Sequence, residues 1–294
     1  MWSDRPCPEW KLTHVSATTK LRLDNKVWKE ILDRLVDAGM NMVVIDLGEG
    51  MRYKSHPELA VKGSWSVDRL KKELDRIRGL GLEPIPKLNF STAHDTWLGP
   101  YERCVSTPTY YRVCRNLIRE TTKIFGRPRF FHLGMDEETA EHQRHYGYAV
   151  MRQHELWWHD LNFLVDEVEK QGARPWIWSD YVWHHPETFY KRMRRSVLQS
   201  NWHYGRSFAK NDVSAQAYRG LEKHRFDQIP TGSNWGCREN FGRTVSFARK
   251  EIAARRLLGF LQTVWRPTIG ECLDRHVEAI DLAGAARRKW EKLN

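Results

Sequence analysis

The chain alternates between short apolar segments and longer amphipathic segments, and it does so eight times along 294 residues. The apolar segments predict β-strands at residues 11–18, 41–47, 83–90, 129–135, 174–181, 196–204, 226–235 and 259–265. Apolar residues at three- and four-residue spacing predict helices at residues 26–38, 67–79, 108–125, 155–171, 186–194, 214–224, 240–258 and 273–292. Several helices end in a glycine just before the next strand, a typical helix C-terminal signal.

Strands that alternate with helices pair in parallel through right-handed crossovers. Eight such units match the count and size of a (β/α)8 TIM barrel, which typically needs about 250 residues. The alternative within the α/β class is a doubly wound open sheet, but no glycine-rich phosphate loop follows the first predicted strand. The sequence therefore predicts an α/β protein with a single domain, a (β/α)8 TIM barrel over residues 1–294.

The composition favours a globular protein of a reducing compartment. A hydrophobic fraction of 40% is enough for a sizeable core, and no apolar run approaches the roughly 20 residues that span a bilayer. The first residues contain no apolar signal-peptide core, so we expect a cytoplasmic protein without a membrane partner. The five cysteines form no CxxC pair, which favours reduced thiols.

The formal net charge of +11 raises the question of nucleic-acid binding. Basic clusters occur at residues 191–195 and 287–289, on predicted outer helices or their ends. A solvated helical face explains them, so we expect no specific nucleic-acid partner, with nonspecific attraction to polyanions at low salt.

Polar and aromatic side chains follow the predicted strands at their carboxyl ends, where barrel enzymes place their chemistry. The fourth strand leads into His132 and then into Asp136 and Glu137, two adjacent carboxylates in residues 129–138. Neighbouring carboxylates can share one pocket, where one is pushed toward a neutral acid while the other stays ionised. The other strand ends supply Asp46, Glu49, Lys87, Asn89, His94, Trp178, Asp180, Asn201, Trp202, Tyr204, Asn234, Trp235 and Trp265.

Four of these residues are tryptophans, whereas barrel interiors favour branched aliphatic residues. An indole is flat and apolar but carries an N–H group, so it suits a sugar ring, which offers a C–H face and hydroxyls. Some tryptophans could instead cap the barrel core, and Trp176 and Trp183 fit that role best.

The segment His-Leu-Gly-Met-Asp-Glu at residues 132–137 resembles the His-x-Gly-Gly-Asp-Glu signature of glycoside hydrolase family 20, the β-N-acetylhexosaminidases. The similarity continues in order along residues 40–266. It includes Asp46, the segment from Ile85 to His94, Trp178-Ser179-Asp180, the segment from Gln199 to Tyr204, and Val264-Trp265.

The resemblance implies a glycosidase that uses substrate-assisted catalysis, an exception to the usual two-carboxylate scheme, and that needs no cofactor or metal. Glu137 would be the general acid and base, Asp136 would orient the 2-acetamido group, and Tyr204 would donate to its oxygen. Asp46 and His94 would form a relay to Glu137. The substrate-binding residues would be His132, Trp178, Asp180, Trp202, Asn234, Trp235 and Trp265. The implied partner is a carbohydrate with a terminal N-acetylhexosamine.

The sequence departs from the family pattern at positions that concern substrate recognition more than the catalytic pair. Met135 stands where the family has glycine, and Thr92-Ala93 replaces its Pro-Gly before the histidine. Lys20 and Arg22 are the basic residues near the first strand, where the family has an arginine. Arg266 follows Trp265 where the family commonly has a glutamate.

Two further functions use the same strand ends. A metal-dependent sugar isomerase or epimerase would take Asp46, His132, Asp136 and Asp180 as ligands. A non-catalytic carbohydrate-binding barrel would keep the tryptophans and lack turnover.

Overall fold

The computed structural model describes residues 17–292, and in them strands and helices alternate as predicted. The β-strands are β1 Met42–Asp46, β2 Glu83–Lys87, β3 Phe130–His132, β4 Arg174–Trp178, β5 Leu198–Ser200, β6 Thr231–Ser233 and β7 Leu261–Thr263. The α-helices are α1 Asn25–Asp37, α2 Val67–Gly79, α3 Pro108–Ile124, α4 His154–Glu169, α5 Tyr181–His184, α6 Pro186–Arg192, α7 Val213–Lys223, α8 Asn240–Glu251 and α9 Leu273–Glu291. The predicted first strand, residues 11–18, lies outside the described residues except for its last two.

The pairings of β1 with β2, β2 with β3, β3 with β4 and β6 with β7 are parallel, which confirms the α/β class. Strands β1 to β5 form one sheet in chain order, and β6 pairs with β7 in a second sheet. Isolated parallel bridges join Gln199 to Gln228 and Trp202 to Thr231, so the chain around β5 runs beside the chain around β6. Within residues 17–292 the strands thus form one five-stranded sheet and one two-stranded sheet. In that range they do not form a closed eight-stranded barrel.

The strands are shorter than predicted, and β2 pairs with β3 over only a short stretch. The backbone N–H groups of Leu88 and Phe90 donate to the chain of β3, at His132 and Leu133. Even-numbered residues of this segment therefore face β3, and the even-numbered positions inside β2 are Pro84 and Pro86. Proline has no N–H group to donate, so β2 and β3 pair only at Lys87 and His132.

Helix α8 ends at Glu251, seven residues before the predicted end. The buried Ile252 adopts an extended conformation that stops the helix, although the apolar spacing continues through Leu258. The four-residue helix α5 lies within the loop that follows β4 and was not predicted.

The described chain divides into two units. The first contains residues 17–21, 42–79 and 83–176, with β1 to β3, the start of β4, and helices α2 to α4. In it α3 packs against α4 and buries Leu117 and Ile118, while α4 buries Trp157, Trp158 and Leu161. In this unit β1 ends at Asp46, and β2 and β3 lead into the loops that carry His94 and the Asp136–Glu137 pair.

The second unit contains residues 22–41, 80–82 and 177–292. Helix α9 packs against α1 and α8 in it, and Gly284 permits a close approach because an added Cβ would lie 3.1 Å from the Ala38 Cβ. A second cluster buries Tyr218, Ala248 and Ile252.

The described cysteines, Cys104, Cys114, Cys237 and Cys272, are free thiols. Within residues 17–292, no helix combines the length and apolar character that crossing a membrane requires.

Candidate active site

The turn after β3 carries the predicted catalytic pair in an unusual backbone conformation. Gly134, Met135 and Glu137 all have positive φ, at 73°, 74° and 56°. An added Cβ on Gly134 would lie 2.7 Å from the Asn89 backbone, so only glycine fits there. Left-handed non-glycine residues cost about 1–3 kcal/mol each and cluster at functional sites.

Asn89, beyond the end of β2, holds this turn in place. Its Nδ2 donates to Oδ1 of Asp136 at 2.8 Å, and its Oδ1 accepts from the backbone N–H groups of Ser91 and Met135 at 3.1 and 3.2 Å. The Ser91 hydroxyl donates to the Asp136 backbone carbonyl. The sequence places Asn89 at a strand end, but its contact with Asp136 depends on the conformation of the turn.

His94 lies beside both carboxylates. Its Nε2 is 3.4 Å from Oδ2 of Asp136 and 3.3 Å from Oε2 of Glu137. Burial disfavours the charged imidazole, but the two carboxylates outweigh it and raise the pKa of His94 to about 9. The pKa of Asp136 is lowered, because the attraction of His94 outweighs burial. His94 and Asp136 are buried, while 24% of the Glu137 side chain remains exposed to a ligand.

Glu137 has a second histidine partner that the sequence analysis missed. Nε2 of His142 lies 3.3 Å from Oε1 of Glu137, and the Thr139 hydroxyl contacts the other ring nitrogen at 2.8 Å. Burial raises the pKa of Glu137, but hydrogen bonds from His142 and His94 lower it to about 2. The expectation that one carboxyl is kept neutral by its neighbour is therefore wrong, because His94 holds the proton instead.

The predicted relay between Asp46 and His94 is also wrong, because Asp46 forms an ion pair with Lys87. These two residues are register partners on β1 and β2, and Lys87 is buried while half of the Asp46 side chain is exposed. His94 contacts the carboxylates directly.

His132 is fully buried, and its Nδ1 accepts a hydrogen bond from the Gly134 N–H at 3.0 Å, which stabilises the turn. Burial and the charge of Lys87 hold the pKa of His132 well below the usual value.

Glu138, the third acidic residue of the segment, belongs to a buried network. It accepts two hydrogen bonds from the Arg152 guanidinium, at 2.6 and 2.8 Å, and the same guanidinium lies 3.2 Å from Asp160. Arg152 also donates to the Phe90 carbonyl at 2.8 Å. The network anchors the loop after β3 to helix α4, and the sequence gives no periodic signal for it.

In the second unit, Tyr204 lies among the predicted sugar-binding residues. Its hydroxyl accepts from Nε1 of Trp265 at 2.9 Å and from Thr263 at 3.4 Å. Its ring stacks on Trp202 with centroids 5.0 Å apart, and Nε1 of Trp202 donates to Asp180 at 3.3 Å. Trp202, Tyr204 and Trp265 are partly exposed, so this aromatic cluster can contact a ligand.

Two more indoles extend this cluster. Trp178 is buried with its ring edge toward Trp265, at 5.7 Å between centroids. Trp183 contacts Trp202 at 4.5 Å and donates to Asn201 at 2.8 Å. The sequence assigned Trp183 to the core, whereas the structure leaves it partly exposed beside the predicted sugar-binding residues.

Asn234 and Trp235 follow β6. Nδ2 of Asn234 donates to the Arg275 carbonyl at 3.0 Å and to Glu278 at 2.9 Å. The Arg266 guanidinium lies over the Trp235 ring, 4.5 Å from its centroid.

One group in the described chain could hold a metal ion: the ligand atoms of His94, Asp136 and Glu137 lie within 4.8 Å of one another. Two of the ligands predicted for a metal-dependent isomerase have other partners: Asp46 forms an ion pair with Lys87, and His132 accepts a hydrogen bond from Gly134.

Comparison with solved structures finds the same fold in several enzymes. The chain matches the Flavobacterium johnsoniae chitobiase with a TM-score of 0.66 at 16% identity, over 89% of this chain and 46% of that one. It matches the β-N-acetylhexosaminidase of Bacteroides fragilis with a TM-score of 0.67 at 16% identity, over 90% and 62%. It matches the Streptomyces plicatus β-hexosaminidase in complex with N-acetylglucosamine with a TM-score of 0.66 at 13% identity, over 93% of this chain and 64% of that one.

The fold is that of the family 20 β-N-acetylhexosaminidases. At these identities the likeness concerns the fold alone. The chain spans about half to two thirds of the length of these three structures. Neither a scan against protein-family models nor a search of curated proteins found a match.

Proposed function

We propose that this protein is a retaining β-N-acetylhexosaminidase with a (β/α)8 barrel fold. The observation that carries the proposal is the contact of His94 with Asp136 and Glu137 at the end of β3, in a chain with the family 20 fold. The likeness to family 20 structures and the parallel bridges between the chain segments around β5 and β6 support the barrel.

In the first step, the carbonyl oxygen of the substrate's 2-acetamido group attacks the anomeric carbon while the glycosidic bond breaks. The leaving oxygen takes a proton from Glu137, and an oxazoline-type intermediate forms. Since the pKa of Glu137 is about 2, this proton must come from a neighbour. His94 is the donor that we assign, with its Nε2 at 3.3 Å from Oε2 of Glu137.

In the second step, Glu137 accepts a proton from a water molecule that opens the intermediate, and the anomeric configuration is retained. Asp136 is held by Asn89 and His94, so its negative charge is fixed where positive charge develops on the acetamido nitrogen. The assignment of Tyr204 to the acetamido oxygen and of Trp178, Trp202, Trp235 and Trp265 to the sugar stays a prediction. Substrate contacts by His132, Asp180 and Asn234 stay predictions as well.

A panel of chromogenic glycosides tests the reaction class. We expect turnover of the β-glycosides of N-acetylglucosamine or N-acetylgalactosamine and none of the α-glycosides. Glu137→Gln should lower that turnover. If the protein binds these sugars but hydrolyses none of them, it is a carbohydrate-binding barrel and the proposal fails.

The metal-dependent alternative is tested separately. Because a metal ion on His94, Asp136 and Glu137 would displace the proton that the reaction needs, we expect added Zn²⁺ to inhibit and a chelator to leave turnover intact. Stoichiometric Mn or Zn in the active protein, with loss of activity on chelation, would favour an isomerase or epimerase.

A further inference from the structure

Arg266 is a partly buried cation among the aromatic residues that follow β6 and β7. Its guanidinium lies 4.5 Å from the Trp235 ring centroid, and its Nη1 donates to the Trp265 carbonyl at 3.0 Å. Arg266 thus contacts two of the four tryptophans that we assign to the sugar. Stacking on an indole fixes the plane of a guanidinium and leaves its edge able to form paired hydrogen bonds.

The charge of Arg266 is not balanced by an acidic neighbour. Among the described residues, no aspartate or glutamate forms an ion pair with it. Glu278 pairs instead with Arg275 at 2.8 Å and with Arg238 at 3.2 Å. Burial and the positive charge of Arg275 lower the pKa of Arg266. An arginine remains protonated in spite of such a shift, so Arg266 keeps its positive charge, and the nearby Glu278 is paired with two other guanidiniums.

A nearby hydrogen-bond acceptor, the side-chain oxygen of Asn234, also lacks a donor in the part of the chain that the structure describes. Asn234 is buried, its Nδ2 group is used by Arg275 and Glu278, and its Oδ1 has no hydrogen-bond partner within the described residues. A buried acceptor without a donor lowers the stability of the folded protein. A hydroxyl of a ligand bound next to Trp235 would supply the missing donor to Oδ1 of Asn234.

We propose that Arg266 selects hexosaminides that carry an anionic group, a sulfate, a phosphate or a carboxylate, on the sugar at the non-reducing end. The planar guanidinium binds two oxygens of such a group, while the indoles bind the ring. The net charge of +11 favours the approach of polyanionic glycans. This inference rests on the proposed function and specifies its substrate class.

Calorimetric binding at low salt tests the inference, with N-acetylglucosamine and its 3-sulfate, 4-sulfate, 6-sulfate and 6-phosphate as probes. We expect at least one anionic sugar to bind about tenfold or more tightly than the neutral sugar, the usual size of a charge-assisted hydrogen bond. Arg266→Gln should abolish the preference, Arg266→Lys should retain part of it, and Arg266→Glu should reverse it.

Arg255→Gln is the matched control. It removes one arginine of the same unit, from the exposed turn before β7, whereas Arg266 follows the end of that strand. We expect it to leave the preference unchanged. Equal binding of neutral and anionic sugars, or a preference that survives Arg266→Gln, would overturn the inference while the proposed function stands. If no sugar binds and no N-acetylhexosaminide is hydrolysed, the proposed function itself fails and the inference falls with it.

Discussion

Nε2 of His94 lies 3.3 Å from Oε2 of Glu137, close enough for one proton to move between them. The pKa of His94 is raised to about 9 and that of Glu137 is lowered to about 2, so the proton rests on the histidine. A general acid that is ionised at neutral pH can still work if a neighbour returns its proton as the leaving group departs.

The first prediction concerns the pH dependence of turnover. We expect kcat/KM to fall on the alkaline side as the shared proton is lost, with an apparent pKa near 9. In His94→Gln this limb should move toward lower pH, and turnover should fall less than in Glu137→Gln. An alkaline limb that His94→Gln leaves in place would make His94 a structural loop residue.

The second prediction concerns stability. The pKa of His94 is higher in the folded protein than the ordinary 6.5, so its stabilisation is complete below pH 6.5 and is lost as pH rises through about 9. The wild type should therefore exceed His94→Gln in unfolding free energy by at most about 3 kcal/mol at pH 6, and by little at pH 10. Urea unfolding at both pH values measures this difference, and a gap independent of pH would contradict it.

The third prediction separates the two neighbouring glutamates. Glu137→Gln should lower turnover by about 10²–10⁴-fold, with a smaller loss on aryl glycosides whose leaving groups need little protonation. Glu138→Gln should lower the unfolding free energy by about 3 kcal/mol, because Arg152 loses one of its two charged partners, the one with two hydrogen bonds, in a buried site. Kinetics and urea unfolding of both variants test the pair, and a swap of these two effects would refute the assignments.

The fourth prediction concerns the turn that carries the catalytic pair. Gly134→Ala should lower the unfolding free energy by at least about 3 kcal/mol, since φ is 73° and the new Cβ would meet the Asn89 backbone. Gly242→Ala is the matched control, because Gly242 lies inside α8 and an added Cβ there meets nothing within 4 Å. We expect this control to be stabilised by up to about 1 kcal/mol. Similar effects of the two variants would argue against a tightly constrained turn.

The sequence predicted the position of every described strand and the proximity of His94 to the Asp136–Glu137 pair. Hydrophobic periodicity defines the elements. The family resemblance implied that His94 lies near Glu137, and this fits strands that end at the same edge of a sheet. Strand lengths were overestimated, because apolar spacing does not show how far two strands stay in register, and β2 and β3 share a single register pair, Lys87 and His132.

The contacts of individual side chains required the structure. His142 reaches Glu137 from an irregular loop whose conformation leaves no periodic pattern in the sequence. The ion pair of Lys87 with Asp46 and that of Arg152 with Glu138 depend on how loops and strands pack. The predicted neutral carboxyl was wrong because hydrogen bonds from His94 and His142 lower the pKa of Glu137, and the contact with His142 was not foreseen.

Substrate assistance is the central claim, and it is tested most directly by fluorination of the substrate's acetamido group. Each fluorine makes the carbonyl oxygen a poorer nucleophile while the group keeps nearly the same shape. If that oxygen attacks the anomeric carbon, kcat/KM should fall steeply from the acetamido to the mono-, di- and trifluoroacetamido glycosides. A flat series, together with a covalent adduct of a 2-fluoro sugar on Asp46 or Asp180 in the mass spectrum, would contradict the account.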